Sequence, residues 1–598
     1  MLIPRPFPAL LCAVAALAID PNRLGADTPA ATAPTSGAVH WHEWNPDLPA
    51  RAKQAGLPIY VFAGSRLNEL TRATLRQSFA NADTADFLNR HFLCVQIDTD
   101  EHGALAAIVR RHLSLLRQAE GLPVHLWLSP DLAVIEVSAY LPPTEEWGKP
   151  GFLKVATQVD DAWRADPEGC VAKIADALDQ VAEPADQPAV AAVEAAAVHR
   201  TLDQAAERWR QTADTTNGGF GDAPKHPQPE VLRFLLSRPG ADRDLARTTL
   251  LRMTNSALRD PLDGGFFRYA TDPGWRLPCL QKLLSDQARL ALAYLEADTI
   301  APDPALREAA RGVLDYVLAR LALPTGGYAF AEDGAAEPGP AAFLWSTADL
   351  AAPLGADAPA FFARHGVQAE GNITADIDPG ARWKGLNVLA SALPSTPEDR
   401  LQLSKLAARR AERPAPLRDE RAFVAPQSLL LASLSRAAVQ LGEPRYRTAA
   451  TALFTFLRTS CVAAPGGELR RAAGFAEAAT PGDRAAFAYG CHSYGTALAD
   501  STACALAKDF LTKLVADSLD EAAGCFIVPP PAPKTGFLNL RTPAPADPCA
   551  AEALALLAGL DGPPAARLRA GIVARLEREE ETDTGSLLHV LAVQPGGD

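Results

Sequence analysis

Residues 61–75 read VFAGSRLNELTRATL, in which an apolar run ends at a glycine turn and continues into helix-forming residues. A strand that enters a helix through so short a turn predicts a βα unit, the building block of a parallel sheet. The first turn of such a helix is a place where the helix dipole can activate a cysteine thiol as thiolate. This stretch contains no cysteine, so its scaffold must serve another purpose.

The residues around this stretch predict one α/β domain over residues 40–184. Apolar β-rich runs and amphipathic stretches alternate along it. The predicted strands cover residues 57–63, 92–98, 124–128 and 134–138, and the predicted helices cover residues 45–55, 82–90 and 104–117, with further helices from Asn68 and from Phe152. This βαβ…ββα order predicts a thioredoxin-like domain.

After a proline- and alanine-rich linker at residues 185–195, strand patterns nearly vanish and residues 196–598 are predicted to be helical. The predicted helices cover residues 193–213, 229–236, 244–258, 279–297, 304–321, 397–410, 425–441, 444–458, 486–509, 550–560 and 564–578. Paired glycines followed by an aromatic residue separate several of them, at residues 218–221, 264–267 and 326–328. This pattern favours an (α/α)6 toroid, and the alternative is an irregular helical solenoid.

The composition is that of a globular protein, with 48% hydrophobic and 21% charged residues. The formal charge of −14 argues against a nucleic-acid or anionic-membrane partner. Residues 1–18 place Arg5 before a short apolar run that ends in small residues, which predicts a cleaved signal peptide followed by an N-terminal segment at residues 19–39. No later apolar run is long enough to span a bilayer, so we expect a periplasmic or extracellular protein.

Nine cysteines are dispersed along the chain, and eight follow the predicted signal peptide. None are paired at the short spacing of a redox motif or a structural zinc site. We therefore expect no metal, and we interpret these cysteines as small buried apolar residues. Disulfides between Cys491 and Cys504, or between Cys525 and Cys549, stay open at this point.

Motifs in both domains resemble one family, the spermatogenesis-associated thioredoxin-like protein and its bacterial relatives. The first domain contributes Trp41-His42-Glu43-Trp44, and the second contributes GGFGDAPK at residues 218–225 and GGFFRY at residues 264–269. The resemblance spans about residues 22 to 560. It implies a thioredoxin-like domain fused to a six-hairpin toroid like that of glycosidases.

The resemblance places the family's two cysteines at Asn68 and Thr71. An amide and a hydroxyl cannot attack a disulfide, so the resemblance implies a domain without redox activity. Asn68 is instead a good N-cap, with Glu69 adding negative charge to the first helical turn. Pro123 falls where thioredoxin folds hold a cis-proline, and it could shape a peptide-binding edge.

The second domain also departs from the family pattern. Relatives have a histidine, an aromatic residue and a glutamate before the lysine, where this chain has Cys279-Leu280-Gln281-Lys282. A candidate imidazole and a candidate carboxylate are therefore missing. These losses indicate weakened or altered chemistry.

Sugar-processing toroids use a pair of carboxylates as general acid and base. Asp286 on an inner helix, together with Glu332 or Asp333 on a glycine loop, is the candidate catalytic pair. The competing interpretation is that loop acids cap helices and face water.

Candidate ligand-binding residues accompany this pair. Tyr269, Trp275 and Trp345 could stack on a sugar ring, and Lys282 supplies a cation. Loop aromatics more often close a core, which is the alternative for all three rings.

The leading hypothesis is an exported, redox-inactive binding or scaffolding protein that holds a saccharide or a peptide, without a cofactor. The competing hypothesis is a carbohydrate-active enzyme, a hydrolase or epimerase, that uses the carboxylate pair. Fold alone does not decide between them.

Overall fold

A computed structural model describes residues 38–181, 193–335, 342–393, 395–463, 467–531, 535–540, 542, 563–578, 588–589 and 591–592 of the 598-residue chain. The predicted signal peptide lies outside the described residues, as do most of the predicted N-terminal segment and most of the linker. The helix predicted at residues 550–560 also lies outside them.

Five strands form the mixed sheet of the first domain: β1 His42–Glu43, β2 Ile59–Gly64, β3 Leu93–Asp98, β4 Val124–Leu128 and β5 Val134–Ser138. Their order in the sheet is β1-β3-β2-β4-β5. β1 and β2 run parallel to β3, whereas β4 runs antiparallel to both β2 and β5. The beginning of the stretch at 61–75 thus lies at the centre of this sheet, because β2 has a partner on each side.

Six helices cover the sheet: α1 Leu48–Ala55, α2 Glu69–Ala73, α3 Ala82–His91, α4 Gly103–Arg117, α5 Phe152–Ala165 and α6 Pro167–Val181. A π-helical turn at Thr74–Ser78 extends α2. Residues of α1, α4 and α6 share one apolar cluster with the sheet, and residues of α3 and α5 share the other. A buried sheet with helices on both faces is the thioredoxin-like architecture predicted from the sequence.

The second domain is mostly helical. Its helices are α7 Ala195–Gln211, α8 Pro229–Ser237, α9 Ala241–Thr254, α10 Leu284–Ile300, α11 Pro304–Tyr316, α12 Thr347–Leu354, α13 Ala358–His365, α14 Pro397–Ala411, α15 Val424–Gln440, α16 Pro444–Phe456, α17 Pro481–Leu498, α18 Ser501–Ser518 and α19 Pro563–Arg578. Short strands join them: β6 Gln281–Leu283, β7 Ala331–Asp333, β8 Leu344–Trp345, β9 Asn387–Val388, β10 Leu417–Asp419, β11 Leu519–Asp520 and β12 Cys525–Phe526. π-helical turns extend α11 at Val317–Leu321 and α16 at Leu457–Cys461, and 3-10 turns lie at Gly355–Asp357 and Gly536–Asn539.

Four helices form an inner layer, in which α8, α10, α15 and α17 pack side by side in that order. They are buried on nearly all sides, as expected for helices that have partners all round. Each is followed by an outer helix packed against it, namely α9, α11, α16 and α18. This alternation of inner and outer helices is the hairpin arrangement of the predicted toroid, and the predicted fold class is confirmed.

Glycine loops precede the inner helices and are fixed by glutamines from them. Gln287 of α10 donates to the carbonyl of Phe266 at 2.7 Å and accepts from its N–H at 2.8 Å. Gln427 of α15 makes the same pair of bonds to Tyr328. Gly264 has a φ of +86°, and a Cβ there would lie 2.7 Å from the Gly312 Cα of α11, so only glycine fits.

Two helix predictions are corrected by the structure. The helix predicted from Cys279 begins at Leu284, because the preceding residues pair as β6 with β7. The single helix predicted at 486–509 is two helices, α17 and α18. Ala499 has a φ of +60° between them, and the Asp500 side chain caps α18 by accepting from Ala503 N.

The second domain also contributes to the core of the first. Phe537 lies in the apolar cluster that α1 and α4 form on the sheet. Its N–H donates to the Leu132 carbonyl at 2.8 Å, and its ring meets Trp44 edge-on with centroids 5.6 Å apart. The two domains are therefore joined beyond the linker.

Among the described residues, Cys491 and Cys504 both carry free thiols. The Cys491–Cys504 disulfide left open by the sequence is thus not formed. Within the described ranges, no helix has the length and apolar character that a bilayer span requires.

Candidate functional site

The two positions that carry cysteine in the resembled family form a helix cap here. Asn68 is the N-cap of α2, and its Oδ1 accepts hydrogen bonds from Thr71 N at 2.8 Å and from Thr71 Oγ1 at 3.1 Å. Thr71 is buried against Gly64, where an added Cβ would lie 2.4 Å from Thr71 Cγ2. The predicted cap is confirmed, and such a cap stabilises a helix by about 0.5–2 kcal/mol.

The peptide bond from Leu122 to Pro123 is cis, as predicted. Pro123 is buried and immediately precedes β4. Its place beside the centre of the sheet is that expected of a thioredoxin-like domain, and its role in binding a ligand stays a prediction.

The start of α2 docks against the second domain. The Leu67 carbonyl accepts a hydrogen bond from Gln281 Nε2 at 2.7 Å, and Arg72 Nη1 lies 2.6 Å from Asp333 Oδ2. Gln281 also donates to Asp333 at 3.0 Å. Asp333, a candidate catalytic carboxylate, is only 1% exposed and is held in these contacts between the domains. Its geometry therefore favours a structural role.

Gln281 accounts for one departure from the family pattern, in which a glutamate precedes the lysine. A glutamate at this position would add a second negative charge beside Asp333, and its carboxylate could not donate to the Leu67 carbonyl. The Gln281 amide donates to both acceptors. In this chain Gln281 therefore stabilises the contact between the domains.

Arg421 makes a second charged contact between the domains. This arginine follows β10, and its side chain is 10% exposed. Its Nη1 lies 2.9 Å from Asp98 Oδ2 and 3.0 Å from Glu101 Oε1, both in the first domain. Arg421 also pairs with Asp419, the last residue of β10 in the second domain. Near this contact, Arg471 donates to the Asp100 carbonyl at 2.6 Å.

These contacts share one end of the toroid. Gln281 directly precedes α10, Arg421 directly precedes α15, and Arg471 lies in the loop before α17. We call this end, where the inner helices begin, the toroid mouth. The first domain thus packs over the toroid mouth.

Glu332, the other candidate partner of Asp286, is 3% exposed in β7. Its carboxylate accepts from the Tyr316 hydroxyl at 2.9 Å and from Arg320 Nη2 at 3.2 Å. These bonds tie β7 to the end of α11. A carboxylate with two such donors is satisfied by the protein itself, so the structure favours a structural role over catalysis.

Lys282 is fully buried and does not face a ligand site. Its Nζ lies 2.9 Å from Asp260 Oδ2 and 2.8 Å from Asp263 Oδ1, and Arg410 from α14 binds the same two carboxylates. Burial alone would raise the pKa of Asp260, but Arg410 and Lys282 hold it well below its ordinary value. This buried ion network favours a structural role for Lys282 over the predicted ligand binding.

Trp275 and Trp345 do not offer stacking surfaces either. Trp275 is 2% exposed, donates from Nε1 to the Asn217 carbonyl at 3.1 Å, and lies under the Lys225 ammonium group. Trp345 is 1% exposed, with the Arg413 guanidinium 4.2 Å from its ring centroid. Both rings close the core, as the alternative interpretation held.

Asp286 differs from the other candidates because one of its oxygens is unsatisfied. It lies in the first turn of α10 at the toroid mouth and is partly buried. Among the described residues, Oδ2 is buried without a hydrogen-bond partner. Burial raises the pKa of this carboxyl to about 6, although Arg268 and Arg289 act in the opposite direction. Asp286 can therefore accept a hydrogen bond from a ligand, or hold a proton near neutral pH.

Tyr269 and Arg268 accompany Asp286. The backbone N–H of Arg268 donates to the Gln281 carbonyl at 2.8 Å, which holds this loop beside the start of α10. Tyr269 is partly buried, and its ring centroid lies 4.9 Å from the ring centroid of His226. Burial raises the pKa of Tyr269 to about 12, so its hydroxyl stays neutral. Sequence reasoning found Asp286 and Tyr269 but did not select Arg268.

A chain of alternating charges continues from this site along the inner helices. Arg289 Nη1 donates to Glu230 at 3.0 Å, Glu230 pairs with Arg233 at 2.9 Å, and Arg233 pairs with Glu296 at 2.9 Å. Burial alone would raise the pKa of Glu296, but Arg233 lowers it to about 2. These ion pairs link α8, which carries Glu230 and Arg233, to α10, which carries Arg289 and Glu296.

The far end of this chain opens into a cleft of about 410 Å³ near the C-terminal ends of α8, α10 and α15, lined by Arg233, Leu236, Ser237, Glu296, Thr299, Ile300, Arg436 and His589. Its two carboxylate-binding arginines are already paired with Glu296. Within the described part of the chain, no group of three or more His, Cys, Asp and Glu residues is arranged to hold a metal.

These observations define a class of protein: a thioredoxin-like domain without thiols at its helix tip, packed over the mouth of a helical toroid. Residues 22–182 match the family model described as Thioredox_DsbH, protein of unknown function DUF255. This match and the relatives below confirm the resemblance seen in the sequence.

The chain is similar to spermatogenesis-associated protein 20 of Mus musculus, with 26% identity over 485 residues, and to that of Homo sapiens, with 27% identity over 481 residues. Each alignment covers 72% of this chain and 60% of the relative, so the chain spans less than two thirds of their length. Among solved structures, a cellobiose 2-epimerase from Spirochaeta thermophila matches with 15% identity and a TM-score of 0.36, over 66% of this chain and 85% of that one.

Replacing Asp286 by asparagine is expected to stabilise the protein at neutral pH. Because the pKa of this carboxyl is raised from 3.8 to about 6, the folded state binds a proton more tightly than the unfolded state does. The free energy of unfolding of the wild type therefore falls as pH rises from about 4 to 6. Asp286→Asn removes this loss and should be about 1–3 kcal/mol more stable than wild type at pH 7.5, part of the effect being screened by solvent.

Urea unfolding at several pH values measures this difference. It should vanish below about pH 4, where the wild-type carboxyl is protonated in both states. Asp161→Asn, on the exposed side of α5, is the matched control and should change stability by less than about 0.5 kcal/mol. A variant at 286 that is less stable than wild type at pH 7.5 would contradict the raised pKa.

Proposed function

We propose that the protein is an exported, redox-inactive binding protein whose toroid holds a saccharide beside Asp286, with the thioredoxin-like domain as a fixed cover over the toroid mouth. The observation that carries this proposal is the unpartnered Oδ2 of Asp286. A buried acceptor without a donor is costly, and a ligand hydroxyl would satisfy it.

The absence of redox activity rests on the chemistry of the helix tip. Asn68 and Thr71 carry no sulfur, and their side chains bond to each other within the cap. Leu67 and Arg72, on either side of them, contact the second domain. A substrate disulfide would therefore meet no nucleophile at this place.

A saccharide suits the site better than a peptide does. Sugar hydroxyls donate to carboxylates, and a sugar ring packs on a partly exposed aromatic ring such as that of Tyr269. The edge beside Pro123, which a peptide would use, adjoins the docked helix tip. Export is supported by the order of charge, apolar run and small residues in the first 18 positions.

A second candidate function is a carbohydrate-active enzyme in which Asp286 is the general acid. The observation that favours it is the pKa of about 6, which leaves a proton available near neutral pH. The predicted partners Glu332 and Asp333 are both engaged in structural bonds, so this candidate requires a base from elsewhere. We therefore rank it second.

A glycan array and a thermal-shift screen of the mature protein, repeated with Asp286→Asn, test the proposal. We expect at least one saccharide to raise the melting temperature of the wild type and of the Asp161→Asn control. The same saccharide should have a much weaker effect on Asp286→Asn, because the acceptor is lost. If no saccharide is bound, or if Asp286→Asn responds like wild type, the proposal is wrong.

A further inference from the structure

We propose that the ligand is an acidic carbohydrate, a sugar that carries a carboxylate or a phosphate, and that Arg268 binds its anionic group while Asp286 accepts one of its hydroxyls. This inference rests on the proposed function, because it names the class of saccharide for the same site. It assigns a specificity-determining role to Arg268, the arginine of the GGFFRY motif.

Arg268 is an exposed arginine that the protein leaves unpaired. Within the described residues, its guanidinium makes no hydrogen bond or ion pair. Other arginines nearby are paired: Arg276 binds Asp272 and Asp376, and Arg289 binds Glu230. The backbone of Arg268 is nevertheless fixed, because its N–H donates to the Gln281 carbonyl at 2.8 Å. A fixed backbone with a free guanidinium is suited to bind an external anion.

Asp286 sets the second requirement. Its unpartnered oxygen needs a donor, and an ionised carboxylate would repel an anion placed directly against it. The ligand must therefore present a hydroxyl to Asp286 and its negative group to Arg268. A sugar that carries one acidic substituent meets both requirements in one small molecule.

The charge balance along the inner helices also favours an anion. The carboxylate of Glu230 is shared by Arg289 and Arg233, and that of Glu296 is shared by Arg233 and Arg436. Each of these two carboxylates thus forms ion pairs with two arginines. Arg268 adds a further cation at the toroid mouth. An arginine can bind a carboxylate or a phosphate through two parallel N–H donors, which gives orientation as well as affinity.

Tyr269 supplies the third contact, since it adjoins Arg268 and stays neutral. Its partly exposed ring offers a face for the sugar, and its hydroxyl can donate or accept. Arg268, Tyr269 and Asp286 together would contact an anionic group, a ring face and a hydroxyl.

Titration calorimetry of the full protein with three probes tests the inference: glucose, glucuronate and glucose 6-phosphate. We expect one of the two acidic sugars to bind at least tenfold more tightly than glucose, and the better of the two distinguishes carboxylate from phosphate. Arg268→Gln should lose this preference by about tenfold or more while its weak affinity for glucose stays unchanged. Arg252→Gln, an exposed arginine on α9, should behave as wild type.

The outcomes separate this inference from the proposed function. If glucose binds as tightly as both acidic sugars, or if Arg268→Gln retains the acidic preference, the inference is wrong and the proposed saccharide site stands. If none of the three sugars binds and the glycan array is also blank, both are wrong. A loss of glucose binding in Arg268→Gln would indicate a structural role for this arginine and would also contradict the inference.

Discussion

Replacing Lys282 by methionine is expected to lower the free energy of unfolding by about 3–5 kcal/mol, because it leaves two buried carboxylates with one fewer cation. Lys282 is fully buried and binds both Asp260 and Asp263. Its ammonium group also lies 4.6–5.0 Å from the ring centroids of Phe267, Tyr316 and Phe343. The remaining cation, Arg410, cannot satisfy both carboxylates to the same extent.

Guanidinium unfolding followed by circular dichroism measures this loss. Lys405→Met, an exposed lysine on α14 that lies 3.4 Å from Asp357, is the matched control. We expect it to change stability by less than about 1 kcal/mol. If the two variants were equally stable, Lys282 would not be the centre of a buried network.

Replacing Arg421 by alanine should weaken the contact between the domains by about 3–5 kcal/mol. The arginine is the shared partner of Asp98, Glu101 and Asp419, and its loss would leave these carboxylates repelling one another across the interface. We expect hydrogen exchange to increase at the start of α2 and in the loop before α10. These two segments face each other where the domains meet.

Arg418→Ala is the matched control for this variant. Arg418 lies in β10, three positions before Arg421, is more exposed, and pairs with the exposed Glu420. Its loss should leave hydrogen exchange at the interface unchanged. Equal exchange in the Arg421 variant and in the wild type would show that this charged contact does not hold the domains together.

The fold could be predicted well from the sequence because its signals are local. The apolar β-rich runs at β4 and β5 and the helix start at Phe152 match the structure at their bounds. The helix cap at Asn68 was also predictable, since N-cap preference depends on one residue and its next turn. The sequence did not predict the break between α17 and α18, because the break depends on Ala499 in a left-handed conformation. Alanine rarely adopts that conformation, so its presence does not indicate a turn.

The site was harder to predict because exposure depends on long-range packing. Trp275, Trp345 and Lys282 were predicted to face a ligand, but long-range packing within the second domain buries them. Arg72 and Asp333 are 261 positions apart, so no local pattern could pair them. Asp286 was found from its position on an inner helix, whereas Arg268 required knowledge of which arginines are already paired.

We propose that the thioredoxin-like domain acts by covering the toroid mouth, without thiol chemistry. An insulin-reduction assay of the purified protein with dithiothreitol tests this proposal most directly, with a dithiol thioredoxin as the positive control. We predict a rate equal to that of dithiothreitol alone. Catalysed reduction of insulin by the purified wild type would contradict the claim.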